Sequence, residues 1–82
     1  MAYQVVWSER ALNQAAGFLE DDPEGLSQLL DAVDLLADEP RPVGTAEYGS
    51  ADVRRMHVGR YRVLYFSEPT RASVCVVSLR WL

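Results

Sequence analysis

Hydrophobic and polar positions along this chain follow two different periods, one in each half. Tyr3-Gln4-Val5-Val6-Trp7 is β-branched and aromatic, which predicts a short opening strand. Ser8 follows as a helix cap. Leu12, Ala15, Ala16 and Leu19 then recur at i, i+3, i+4 and i+7, the stripe of an amphipathic helix. Asp21-Asp22-Pro23 breaks that helix, and Asp22, Pro23 and Glu24 read as N-cap, N1 and N2 of a second one. Leu26, Leu29, Leu30, Val33 and Ala37 repeat the stripe, so the spacing predicts an antiparallel helical hairpin with one shared apolar face. Glu39-Pro40-Arg41-Pro42 ends it. A polar loop with Gly44 and Gly49, about nine residues long, follows and is expected to be the most mobile segment.

Beyond the loop the period shortens to that of strands. Val53 to Val58 and Tyr61 to Ser67 are two strands joined by Gly59-Arg60, with glycine at the first central position of a two-residue hairpin turn. Glu68-Pro69-Thr70-Arg71 makes the next turn, and Ala72 to Trp81 is the last strand. Val74, Cys75, Val76, Val77 and Leu79 make it apolar on both faces, which predicts a central position. The opening strand belongs beside it, for a four-stranded sheet in the order 1-4-3-2. The expected class is therefore α+β: two N-terminal helices on a mainly antiparallel sheet, β-α-α-β-β-β, in one domain spanning residues 1–82.

Charge sharpens this division. The net charge of −4 conceals a first forty residues at −8, with one arginine against nine acids, and a remainder at +4, with seven arginines against three acids. Local potential rather than net charge steers a polyanion, so the second half keeps nucleic acid among the candidate ligands. The chain has no lysine, which fits either codon bias or a preference for guanidinium groups. One cysteine, Cys75, excludes an intrachain disulfide and suits a reducing compartment. No apolar run approaches the roughly 20 residues of a membrane span, and the N-terminus has no signal-peptide pattern. A cytoplasmic protein without membrane partners is expected.

The chemistry-bearing residues concentrate on the strands. Side chains at i and i+2 share a strand face, which pairs Arg55 with His57 and Arg60 with Arg62, while Arg80 lies near the end of the last strand. If the hairpin brings Arg55, His57 and Arg62 together, the cluster is the size of a phosphodiester site. The alternative is a solvated sheet face with an incidental histidine. Tyr61 and Tyr65 read as core, Trp7 and Trp81 as packing residues at the sheet edge, and Cys75 as a buried small hydrophobe. One His and one Cys cannot build a zinc cage, and there is no phosphate-binding glycine loop or calcium loop. No metal or other cofactor is expected. Ser67, Ser73 and Ser78 have no Asp–His pair nearby in sequence.

The segment Val53-Arg54-Arg55-Met56-His57-Val58-Gly59-Arg60-Tyr61-Arg62-Val63-Leu64-Tyr65 resembles the RelE/ParE superfamily of bacterial toxins. It is similar to that family's basic strand, glycine turn and Tyr-Arg-aliphatic-aliphatic-Tyr strand. Tyr3 to Leu12, with Trp7-Ser8-Glu9-Arg10-Ala11-Leu12, is similar to its opening strand and first-helix start. The resemblance implies a type II toxin–antitoxin toxin of the RelE branch, a metal-independent mRNA endonuclease acting on the ribosome and neutralised by a cognate antitoxin. The alternatives it carries are a ParE-like gyrase inhibitor and an antitoxin-binding homologue of weakened activity. It implies Arg62 as the arginine that stabilises the attacked phosphate, with Arg55 and His57 activating the ribose hydroxyl. Arg54, Arg60 and Arg71 are implied as further RNA contacts. RNase members run on past the last strand through a Gly-basic-Arg stretch to a Tyr or Phe. This chain reads Val77-Ser78-Leu79-Arg80-Trp81-Leu82, so Arg80 is expected to substitute for the terminal arginine. The toxin–antitoxin complex is expected to bind operator DNA through the antitoxin.

Overall fold

The computed structural model describes residues 3–40 and 46–81. Arg41 to Thr45, expected as the helix stop and first part of the loop, lie outside the described residues, as do Met1, Ala2 and Leu82.

The chain runs β1 (Gln4–Trp7), α1 (Glu9–Asp21), α2 (Pro23–Asp34), a short 3-10 turn (Leu35–Ala37), β2 (Ala46–Tyr48), β3 (Ser50–Val58), β4 (Tyr61–Glu68), a second 3-10 turn (Pro69–Arg71) and β5 (Ser73–Trp81). The sheet order is β1-β5-β4-β3-β2. β1 is parallel to β5 and every other pairing is antiparallel. The four expected strands hold the expected order, with the last strand central. A fifth strand extends the sheet: Ala46–Tyr48, read as loop, pairs with β3 through Ala46–Arg55 and Glu47–Arg54. Three residues are too few to show a two-residue alternation, so their sequence carried no strand signal.

The helix termini follow their expected chemistry. The Ser8 hydroxyl accepts from Ala11 N at 3.0 Å, and Glu9 places a carboxylate in the first turn. Asp22 serves both helices. Its N–H donates to Phe18 O at 2.8 Å, closing α1, and its carboxylate accepts from Gly25 N at 3.2 Å, opening α2. The same carboxylate accepts the Tyr61 hydroxyl at 3.0 Å, which ties the helix junction to the start of β4. Burial, aided by this carboxylate, pushes the Tyr61 phenol above its ordinary value.

The core lies between the helices and one face of the sheet. It consists of Ala11, Leu26, Leu29, Val33 and Leu36 from the helical side, with Tyr61, Val63, Tyr65, Val74, Val76 and Leu79 from the strands. The expected stripe of α1 is corrected by about one residue. Leu12 and Leu19 are 54% and 53% exposed, whereas Ala11 is buried and Ala15 and Phe18 pack on the core. Both sets have helical spacing. Phe18 decides between them, stacking on Trp81 with ring centroids 5.0 Å apart and meeting Tyr61 edge-on at 5.4 Å. In α2 the stripe holds at Leu26, Leu29 and Val33, continues at Leu36 rather than Ala37, and leaves Leu30 exposed.

At the β3–β4 turn, Val58 pairs with Tyr61 around Gly59-Arg60. Gly59 has φ +58°, the left-handed value that glycine tolerates without steric cost. Tyr65 donates its hydroxyl to Pro40 O at 2.8 Å, fixing the exit of the helical layer. Among the described residues, no helix is long and apolar enough to cross a membrane.

Leu29→Ala should cost about 2–4 kcal/mol, because Leu29 is fully buried. Leu19→Ala should stay within about 0.5 kcal/mol of the parent, because that leucine faces water. Thermal melts followed by circular dichroism decide the matter. A Leu19→Ala loss as large as that of Leu29→Ala would return α1 to the rotation its leucines suggested.

Candidate functional site

Strand β4 separates two environments. Tyr61, Val63, Tyr65 and Ser67 are buried beneath the helices, and Arg62, Leu64, Phe66 and Glu68 alternate with them on the open face. Cross-strand register then assembles the open face in rows. His57, Arg62 and Arg80 are direct partners across β3, β4 and β5. Arg55, Leu64 and Ser78 form the adjoining row. A shallow hollow of about 100 Å³ is lined by Tyr48, Arg55, Arg62, Leu64, Ser78 and Arg80. Three guanidinium groups line it and no described carboxylate does, so an anion carrying several oxygens is the ligand whose charge it complements. Arg62 Nε donates to His57 Nε2 at 3.4 Å, which aims the imidazole at the guanidinium row.

Arg80 reaches this face because β5 carries a bulge. Leu64 pairs with Ser78 while Tyr65 pairs with Val76, so Val77 is an extra residue on β5. Before the bulge the even-numbered Val74 and Val76 point into the core; after it Leu79 does, and Arg80 points outward. Backbone groups around the bulge bond to α1 and its cap. Ser8 N donates to Val76 O at 2.9 Å, and Ser8 Oγ donates to Val77 O at 2.7 Å. Leu79 N donates to Gln14 Oε1 at 2.7 Å. Neither the bulge nor the role of Gln14 was read from the sequence. The change of phase in the apolar positions, from even at Val74 and Val76 to odd at Val77 and Leu79 around the polar Ser78, is the available signal.

Of the expected site residues, Arg55, His57, Arg62 and Arg80 come together on the open face. The other three do not join them. Arg54 pairs with Tyr65 on the helix side of the sheet and lies 4.0 Å from Glu47. Arg60, expected to share a face with Arg62, sits instead in the hairpin turn with its guanidinium 3.7 Å from the centre of the Trp81 ring. The turn takes Arg60 out of the strand alternation, and the exposed Trp81 ring offers it a cation–π partner. Arg71 stands on the second 3-10 turn, 3.5 Å from Glu68. Cys75 is half-buried rather than buried. It pairs with Phe66 and Val6 on the open face, where burial and then the nearby Glu68 push its thiol upward. Ser78 and Leu64 line the hollow, and so does Tyr48, which lay in the segment read as loop. Ser67 is buried on the opposite face from His57. Among the described residues, no group of three or more His, Cys, Asp or Glu side chains is placed to hold a metal.

No family model matches the sequence, and no curated protein does. Solved structures match it in shape. The isolated RelE toxin of E. coli superposes with a TM-score of 0.84 at 22% identity, covering 98% of this chain and 84% of that one. The toxin–antitoxin complex RelBE2 of Mycobacterium tuberculosis matches with a TM-score of 0.81 at 20% identity, over 100% of this chain and 93% of that one. The RelE–RelB complex of Pyrococcus horikoshii matches with a TM-score of 0.78 at 22% identity, over 99% and 96%. At such identities the likeness establishes the fold: this chain has the RelE-like fold.

The crowding of like charges in the hollow has a measurable consequence. At low ionic strength Arg62→Gln should melt about 2–4 °C above the parent, since removing one partly exposed like-charge contact relieves about 0.5 kcal/mol. The gap should close in about 0.5 M NaCl, where the Debye length falls to a few ångströms. A lower melting temperature for Arg62→Gln at low salt would mean that the guanidinium stabilises the free fold and is not held there against repulsion.

Proposed function

We propose that this chain is the toxin of a type II toxin–antitoxin module and a metal-independent endoribonuclease that cuts mRNA in the ribosomal A site. The observation that carries this reading is the His57–Arg62–Arg80 row beside Arg55, three adjacent strands presenting guanidinium groups to a hollow lined by no described carboxylate. The RelE-like fold agrees with it.

The chemistry needs only what these residues offer. A ribose 2′-oxygen attacks the adjacent phosphorus and the bond to O5′ breaks, leaving a 2′,3′-cyclic phosphate and a 5′-hydroxyl. The proton lost by the 2′-hydroxyl is balanced by one gained by the leaving oxygen. Arg62 and Arg80, opposite one another across the strand pair, take the non-bridging oxygens and stabilise the charge that builds in the pentavalent state. Histidine is the side chain that exchanges protons near neutral pH, which assigns His57 to the 2′-hydroxyl. Arg55, on the neighbouring row, neutralises the flanking backbone.

The partner in this reading is a cognate antitoxin with an acidic, amphipathic segment that folds on contact. Solved structures of the same fold include toxin–antitoxin complexes. Exposed Leu12, Leu19, Leu30 and Leu35 on the helical layer supply apolar anchors, and the arginine face supplies the charge. The ribosome with its mRNA is the target. Operator DNA would be bound by the complex through the antitoxin, and the site of action is the cytoplasm.

Purified protein added to ribosomes stalled on a defined mRNA should produce a primer-extension stop within the A-site codon. Arg62→Ala should lower that cleavage by a factor of about 10² to 10³, the usual cost of one donor lost from a transition-state charge site. His57→Ala should lower it less. A parallel gyrase supercoiling assay should be unaffected. Gyrase inhibition without mRNA cleavage would replace the ribonuclease reading with the ParE-like one, and binding of an antitoxin without either activity would leave a toxin homologue of weakened function.

A further inference from the structure

We propose that Tyr48 is a stacking platform for a nucleobase next to the phosphate held by Arg62 and Arg80, an inference that rests on the ribonuclease reading above. Tyr48 is the last residue of the short edge strand β2 and is 53% exposed. Among the described residues it belongs neither to the core nor to the apolar side chains packed against the core. Its position is built by the backbone. The register shifts between Glu47 and Tyr48, and Gly49 takes φ +89° so that Tyr48 faces Ser50 across a very tight return. A side chain at position 49 would be strained in that conformation. Tyr48 stands two residues beyond Ala46, the partner of Arg55, so it shares the face of Arg55, and its ring lines the arginine hollow.

The ring is then held by a cation. The Arg55 guanidinium lies 4.8 Å from its centre, covering one face and leaving the exposed remainder of the side chain for a ligand. Leu64, paired with Arg55 on one side and Ser78 on the other, gives the hollow an apolar lining residue. A phosphate on Arg62 and Arg80 brings a ribose and a base with it. An exposed aromatic ring at the rim of a cationic groove is the feature on which proteins stack unpaired bases. The base would continue a column of Arg55 and Tyr48. Stacking also serves the reaction. Fixing the base fixes its ribose, and with it the line from the 2′-oxygen through phosphorus to the leaving oxygen. The platform is indifferent to base identity, because every base has a π-face. Ser78, the hydroxyl in the same hollow, is left to contact a base edge.

The test uses ribosomes programmed with an mRNA whose A-site codon carries 2-aminopurine and a 2′-deoxy substitution at the scissile nucleotide, so that the protein binds but cannot cut. Stacking quenches 2-aminopurine. Wild type and Tyr48→Phe should quench it equally, and Tyr48→Leu, which keeps bulk without a π-face, should not. On the unmodified mRNA, Tyr48→Leu should cut on the order of tenfold to a hundredfold more slowly and Tyr48→Phe at the parent rate. Equal quenching by Tyr48→Leu and wild type would overturn the proposal, including the case in which the Leu variant cuts slowly but still quenches, which would assign Tyr48 to holding Arg55. Cleavage that depends on Arg62 but not on Tyr48 would overturn it while leaving the ribonuclease reading intact. Failure of wild type to bind or cut would remove both.

Discussion

The bulge at Val77 is the constraint on which the rest of the open face depends. A strand keeps one set of side chains on each face, so a regular β5 with Val74 and Val76 in the core would also send Arg80 inward, under the helices. One extra residue reverses the parity. An interrupted ladder leaves backbone groups in need of partners, and unpaired buried groups cost about 1–3 kcal/mol each. Here Ser8 and Gln14 supply bonds on either side of the bulge, to Val76 O, Val77 O and Leu79 N. Ser8 is also the cap of α1, so the hydroxyl that starts the first helix helps to hold the distortion that aims the last arginine. The helix start, the shape of β5 and the composition of the arginine row are one structural problem with one solution.

The other side of the sheet explains how so small a chain sustains an open cationic face. A domain of this length buries only about 60–65% of its unfolded surface and has little stability in reserve. Its core is therefore concentrated on one face of β4 and β5, where Tyr61 and Tyr65 add hydroxyl anchors to Asp22 and Pro40. Trp81, Phe18 and Arg60 close one end of that core in a stack: the guanidinium lies over one ring, and the ring lies over the next. The acidic residues of α1 and α2 other than Asp22 are exposed on the helical layer, with the arginine row on the opposite face of the sheet. A charge separation of this kind orients a polyanion toward the sheet even though the net charge is negative.

Much of this was legible from residues whose role is local. Ser8, Asp22-Pro23 and Gly59-Arg60 have signatures that depend on a few neighbours, and each stands where its chemistry placed it. The strict alternation of β4 separated core from site, and Arg62 and His57 followed from it. Readings failed where the deciding contact is distant in sequence. Leu12 and Leu19 were as good a stripe as Ala11, Ala15 and Phe18 until Trp81 and Tyr61 selected the latter. Arg60 has the parity of Arg62, but the turn and Trp81 take it elsewhere. Tyr48 lies in a segment too short to show a period, and its strand exists because β3 offers an edge. Gln14 is an ordinary polar helix residue by sequence, and its partner is 65 positions away.

In the proposed reaction Arg62 and Arg80, brought opposite one another by the bulge, share a single phosphate. Residues that share one transition-state charge give losses that do not add, whereas independent sites give losses that do. A double-mutant cycle on the rate of A-site mRNA cleavage measures this directly, using Arg62→Ala, Arg80→Ala and the double variant at matched protein concentration. If the two arginines share the phosphate, each single change slows cleavage strongly and the double variant is little slower than the worse single one. Additive losses, or an Arg80→Ala variant that cuts at the parent rate, would contradict it.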